Sequence, residues 1–304
     1  MAKTEKPFLL KLFLSLLYSI LTIVLILGGI WVFFKVKYDI NLISTITQIN
    51  ILQQEIKEEE KFDALQTEAD KQNAMEVVNA CIDGLIIKED EEYKFKDSNF
   101  NITSLMKWNL ELTDKNVGAI LNIYLSLSSS GTAVEGSVEE LSPKLIQVKF
   151  LSFDEETKNV KMNFVVKVET TKLKEKMNTF PMSMAVNKIP NNIYISSTCN
   201  VVKKDGKFNY EVTAEDLTIN NLDSNPTKEF VKVLNMVMQV GTREELNLKL
   251  SKMFVNGMIG KSAEYNDGEK ISGFANSLEN LGADDFNFKI KDGVIYYVII
   301  KKGI

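Results

Sequence analysis

An α+β fold is predicted, in which an N-terminal transmembrane helix and a helical stalk precede a curved antiparallel sheet of hairpins packed with amphipathic helices. Three observations predict it. Residues 12–34, LFLSLLYSILTIVLILGGIWVFF, carry no charge, and at roughly 1.5 Å per residue such a helix reaches about 35 Å, enough for a hydrocarbon layer of roughly 30 Å. From 40 to 80 the apolar residues recur at intervals of three or four, the period of a helix face. Beyond Pro143 the period drops to two, in three pairs of runs each joined by a short polar turn. The chain therefore divides into a cytoplasmic tail (1–11), a transmembrane helix (12–34), a juxtamembrane helical stalk (35–83) and an extracytoplasmic α+β domain (84–304).

Within the span, Ser15, Tyr18, Ser19 and Thr22 can bond to the preceding turn or sit near the interface, and Trp31 suits an interfacial anchor. Lys3, Lys6 and Lys11 precede it, while Lys35 and Lys37 follow. The small basic excess on the N-terminal side places that side in the cytoplasm and the C-terminal domain outside the cell. A cleaved signal peptide has an apolar core of about 7–15 residues and small residues at the cut. This core is longer and GGIWVFFK offers no such site, so the segment reads as a retained signal anchor in the cell membrane.

In the stalk, Leu42, Ile46, Ile49, Leu52 and Ile56 line one stripe; Phe62, Leu65 and Ala69 continue it beyond the acidic run 58–60, and Met75, Val78 and Ile82 follow. Gly84 ends the helix, and the charged KEDEEYKFKDSNFN reads as a turn-like passage. Thr113 or Asp114 then caps a helix whose Val117, Ile120, Leu121, Tyr124 and Leu125 share a face. The first hairpin pairs 145–153 with 160–168. The second pairs 193–202 with 208–219 around Asp205-Gly206, and the third pairs 286–290 with 294–300 around Asp292-Gly293. Between the last two, Pro226 starts one amphipathic helix, Thr242 caps another, and a short third covers 274–281. Strict alternation says that each strand buries one face and wets the other.

Composition removes several function classes. The 36 basic and 41 acidic residues leave a net charge of −5 with no basic arm, which speaks against nucleic acid as a partner. There is no histidine, so Ser-His-Asp, Cys-His and His-metal chemistry are excluded together. Cys81 and Cys199 read as buried small hydrophobes. Asp154, Glu155 and Glu156 sit at a hairpin tip, where solvated turn residues are the rule, and 257–262 (GMIGKS) lacks the first glycine of a phosphate loop. No catalytic or metal site and no cofactor is expected, and the chain does not read as an enzyme.

What remains is a surplus of flexible apolar residues, among them Met177, Met182, Met184, Met236, Met238, Met253 and Met258. Plain core packing accounts for them. The sharper alternative is an apolar groove between sheet and helices, walled by Ile120, Leu121, Tyr124, Phe164, Phe230, Leu234, Met238 and Met253, that accommodates an acyl chain.

A single N-terminal span, then LTDKNVGAILNIYL, then hairpins of the form VKFLSFDEETKNVKMNFVVKV and IYISSTCNVVKKDGKFNYEVTAEDLTI, then an amphipathic helix after Pro226 resembles small single-pass bacterial surface proteins of the tubular lipid-binding (TULIP) superfamily. The resemblance covers roughly residues 110–254. It implies a curved antiparallel sheet wrapped about a long helix to form an apolar tube for lipid, and it shares no ligand-contacting motif with this chain. The expected function is thus non-covalent binding of a lipid or other apolar ligand by a membrane-anchored extracytoplasmic protein. The alternative is a structural or protein-interaction module, a filled β domain that meets a protein partner through or beyond its stalk.

Overall fold

The computed structural model describes residues 22, 28–128, 144–171, 174–175, 189–238, 240–260, 273–301 and 303. Of the expected span, only residues 22 and 28–34 fall within them, and among the described residues no helix is long and apolar enough to cross a membrane. Residues 28–38 are helical (α1), with Trp31, Val32, Phe33 and Val36 exposed. Phe34 within α1 and Ile40 just beyond it are buried.

The stretch expected to be a stalk breaks into three helices, α2 (Leu42–Leu52), α3 (Glu58–Lys61) and α4 (Glu68–Cys81), folded onto the body. Ile49 and Leu52 of the anticipated stripe are buried, whereas Ile46 is exposed. The apolar residues that follow are too sparse to hold a free helix, and they have better partners. Phe62 joins Ile146, Val165 and Tyr194 in a small cluster on the sheet, with Ile56 and Leu65 packed against it. Thr67 then starts α4 with a capping box, its hydroxyl accepting from the Asp70 amide while the Asp70 carboxylate accepts from the Thr67 amide. Ala74, Val78 and Cys81 of α4 enter the main core.

The charged passage after Gly84 is a hairpin, β1 (Ile86–Glu89) and β2 (Glu92–Phe95). Its two turn residues, Asp90 and Glu91, both take the left-handed conformation that a two-residue turn requires (φ 50° and 65°). No glycine marks the spot, which is why the turn is hard to see in the sequence. After β3 (Leu110–Leu112), Thr113 caps α5 (Asp114–Ser128) by exchanging hydrogen bonds with Asn116.

The three anticipated hairpins form as β4 (Lys144–Asp154) with β5 (Asn159–Glu169), β6 (Asn192–Lys203) with β7 (Tyr210–Ile219), and β8 (Ala283–Lys291) with β9 (Val294–Lys301). The first four strands make one antiparallel sheet in chain order, while β3, β9 and β8 make a second. Helices α6 (Ser224–Met238), α7 (Arg243–Met258) and α8 (Phe274–Ser277), the last continued by a 3-10 turn to Leu281, lie between β7 and β8 in the chain. Thr242 and Glu245 supply the capping box of α7.

Alternation sorts the four-stranded sheet into two faces. Val160, Met162, Phe164, Val166 and Val168 of β5, with Ile193, Ile195, Cys199 and Val201 of β6, point into the main core. Helices α5 and α7 pack there, and Phe164 stacks on Phe254 of α7 with ring centroids 5.2 Å apart. Gly257 lets α7 approach α5, since a Cβ there would stand 3.1 Å from Leu121 Cδ2. The second sheet closes the end of α7, where the Tyr297 hydroxyl donates to the Met258 carbonyl (3.2 Å). A bulge between Leu145 and Gln147 shifts the parity of β4, so that Ile146 and Gln147 belong to the other, outer face. There the Gln66 amide bonds to the Ile146 carbonyl (2.9 Å) and Leu65 bridges Gln147, covering the sheet edge at the bulge.

Candidate functional site

The residues expected to wall an apolar groove meet in packed core instead. Ile120, Leu121 and Tyr124 on α5, Phe164 on β5, and Phe230 and Leu234 on α6 are all buried in one cluster, with Met253 half-buried against it. The Met238 side chain lies outside the described residues, as do Met177, Met182 and Met184. Ile120 and Leu121 border a void of about 10 Å³, closed also by Leu112, Val117, Met258, Phe274 and Tyr297. That is no more than the space a single water needs. The parity of strand and helix brought the right residues inside. Among the described residues, large side chains such as Phe254 and Phe274 fill the gap that a curved sheet would have left.

Open space lies on the opposite face of the same sheet. A groove of about 430 Å³ crosses its four strands. Gln147, Val165, Ser196 and Thr218 stand in register across β4, β5, β6 and β7 and form the floor, with Asn163 beside them. The Asn163 amide donates to Ser196 Oγ (2.8 Å) and Thr198 Oγ1 (3.1 Å), and the Gln147 amide donates to Asn163 Oδ1 (3.5 Å). Gln147 Oε1 in turn accepts from the Ala64 backbone at 3.3 Å.

One wall comes from the covering segment. Phe62 packs on the Tyr194 ring at 5.6 Å, and Glu58 Oε1 accepts from the Tyr194 hydroxyl (2.5 Å) and from Lys167 Nζ (2.9 Å). Those two donors hold the Glu58 carboxyl below its ordinary range, the Tyr194 bond first. Burial and the same carboxylate hold the Tyr194 phenol above its own. Asn220, Asn221, Leu222 and Asp223 make the other wall. Asn220 takes the left-handed conformation (φ 50°), to which asparagine is well suited, and is locked by Tyr194 N donating to its Oδ1 (2.7 Å) and by its own amide donating to the Leu52 carbonyl (3.2 Å). Lys61 ties the two walls, its ammonium donating to Asn220 O (2.5 Å) and Asn221 Oδ1 (2.7 Å). Although much of that side chain is exposed, the loss of water around the ammonium lowers its pKa.

The site is thus an amide and hydroxyl carpet with one aromatic pair, a cation and a carboxylate on its walls. Such an arrangement can orient a ligand through hydrogen bonds. Among the described residues no group of three or more Cys, Asp or Glu side chains could hold a metal ion.

None of these groove residues stood out as a site in the sequence. A signal was nonetheless present: the outward positions of β6 read Tyr194, Ser196, Thr198 and Asn200, all uncharged, in a chain where solvated strand faces usually carry lysine and glutamate. Compared with protein-family models, with curated proteins and with solved structures, the chain matches none.

Proposed function

We propose that this chain is a membrane-anchored extracytoplasmic binding module, filled rather than hollow, that meets a hydrophilic ligand or partner through the outer face of its four-stranded sheet. One contrast carries the reading: about 430 Å³ of polar groove outside the sheet against a void of about 10 Å³ bordered by Ile120 and Leu121 inside it. A groove of that size lies within the roughly 300–1,000 Å³ of small-ligand sites. An acyl chain, the ligand that a TULIP-type tube implies, has no comparable room in that void. The anchoring part of the proposal rests on the uncharged run 12–34 and on the exposed Trp31, Val32 and Phe33 at its far end.

A photoactivatable side chain at Ser196 in intact cells tests it, with the same group at the exposed Lys291 as control. An adduct of defined mass from position 196 and none from 291 is the expected result. Adducts from neither position, or the same adduct from both, would overturn the reading.

A further inference from the structure

On the reading that the groove is the binding site, we propose that its ligand is a hydroxyl-rich, uncharged carbohydrate. Three features of the groove point that way. First, around the buried Val165 the floor carries Gln147, Asn163, Ser196 and Thr218, side chains that both donate and accept. Neighbouring sugar hydroxyls need that dual character, whereas a phosphate or carboxylate ligand calls for donors alone.

Second, the charges around the floor cancel in pairs. Lys149 bonds Asp63, Lys167 bonds Glu58 at 2.9 Å, and Arg243 bonds Asp216. On the walls themselves Lys61 and Asp223 carry opposite signs. The groove therefore presents no field of one sign, which a nucleic acid, a polyanion or a strongly charged peptide would require. An uncharged ligand loses nothing by that balance.

Third, Phe62 and Tyr194 give the polar floor an aromatic margin. The C–H faces of a sugar ring are apolar while its rim is hydroxyl. The carpet of amides meets the rim, and the ring pair, each residue 8% exposed, leaves a narrow apolar margin for a C–H edge. The groove is also prebuilt. Asn163 is held by Ser196, Thr198 and Gln147, and the walls are held by Glu58, Lys61 and Asn220, so a ligand would meet side chains whose ordering cost has been met in folding.

The full chain in lipid nanodiscs, free of sugar-headed detergent, is titrated with chitotetraose, maltotetraose, tetragalacturonate and tetra-alanine under ligand-observed NMR. The expected result is a saturable response to at least one neutral oligosaccharide that falls tenfold or more in both Asn163→Leu and Thr218→Trp. The two variants act in different ways, one removing the floor's hydrogen bonds and the other filling the groove, and each is used only with an unchanged unfolding midpoint. A saccharide response that survives both substitutions overturns the assignment of this groove. A response confined to the peptide overturns the carbohydrate class, and one confined to tetragalacturonate overturns the uncharged character assigned to the ligand; either leaves the outer groove as a binding site. Silence with every probe also overturns the carbohydrate class, and the adduct at position 196 then decides separately whether the groove binds anything.

Discussion

The two faces of the four-stranded sheet are made by the same strands with the same two-residue alternation, yet one is packed core and the other is half open. On the inner face Phe164 meets Phe254, and nearly every side chain is hydrocarbon. On the outer face Asn163, one residue away, meets Ser196 and Thr198 under a thin cover of residues 56–66. Stability is concentrated on the first face, where burial is worth about 1.5–3 kcal/mol for a large apolar side chain. The second face can hold water-like chemistry in fixed positions because the first supports the sheet from behind.

The largest effect expected from breaking this contrast lies inside. Phe164→Ala should cost about 3–5 kcal/mol, read as a fall in the denaturant midpoint, because it removes a fully buried ring from a stack. A loss below about 1 kcal/mol would mean that the inner face is loosely filled and would restore the case for a hollow.

Next is the polar exception within the core. Ser197 Oγ donates to Asn247 Oδ1 (2.6 Å) and lies 3.1 Å from Ser251 Oγ, while the Asn247 amide donates to the Thr198 carbonyl (3.3 Å). This set fixes the seat of α7 on β6. Asn247→Leu should cost about 1–3 kcal/mol in the same assay, since it leaves the Ser197 hydroxyl with Ser251 alone and takes the side-chain donor from the Thr198 carbonyl. Burial next to it pushes the Cys199 thiol up to about 12. Cys199 should therefore resist alkylation at pH 8 until the protein unfolds, a check by mass spectrometry that the inner face is sealed.

Much of this was legible in the sequence, and the gaps have physical reasons. The three hairpins and the helices near Pro226 and after Thr242 announce themselves because their signals are local: alternation, the Asp292-Gly293 turn and capping residues. The first of these helices already begins at Ser224, and the loop at Asp205-Gly206 runs over six residues between Lys203 and Tyr210. The turn at Asp292-Gly293 shows both residues at positive φ (51° and 76°), as that dipeptide suggests. What local pattern does not carry is where a segment goes. β3 pairs with β9 across most of the chain, and Phe62 and Leu65 fold back onto β4 and β6 instead of prolonging a helix. The apolar residues Ile120, Leu121, Phe164, Phe230 and Leu234 were recognisable as inward facing. Whether they enclose a space depends on how closely two elements approach, and Gly257 against Leu121 sets that only in three dimensions. The groove was missed for a related reason, since its floor takes one or two residues from each of four strands.

Acid should distinguish the cover from the core. Because the Glu58 carboxyl is held below its ordinary value of 4.5, its bonds to Tyr194 and Lys167 contribute in full above that pH and are lost as pH falls through the lowered folded value. The pair is partly exposed, so the effect is small, at most about 1 kcal/mol. Hydrogen exchange should show amides 56–66 losing protection below about pH 4.5 while those of 160–168 keep theirs. Glu58→Gln should reproduce the change at pH 7.

The smallest expected effect is the sharpest test of the comparison. Ser196→Val replaces a half-buried hydroxyl on the groove floor with a residue that favours strands, so stability should stay within about ±0.5 kcal/mol of the parent. The same substitution removes the acceptor of the 2.8 Å bond from Asn163 and puts methyl groups where a hydrophilic ligand would lie. If the outer face exists to bind, adduct formation at the neighbouring Thr218 should fall while the midpoint holds. If the outer face is only a poorly covered second core, the added methyl groups should raise stability and leave the adduct yield as it was. One substitution thus separates a surface kept polar for a ligand from one left polar for want of a cover.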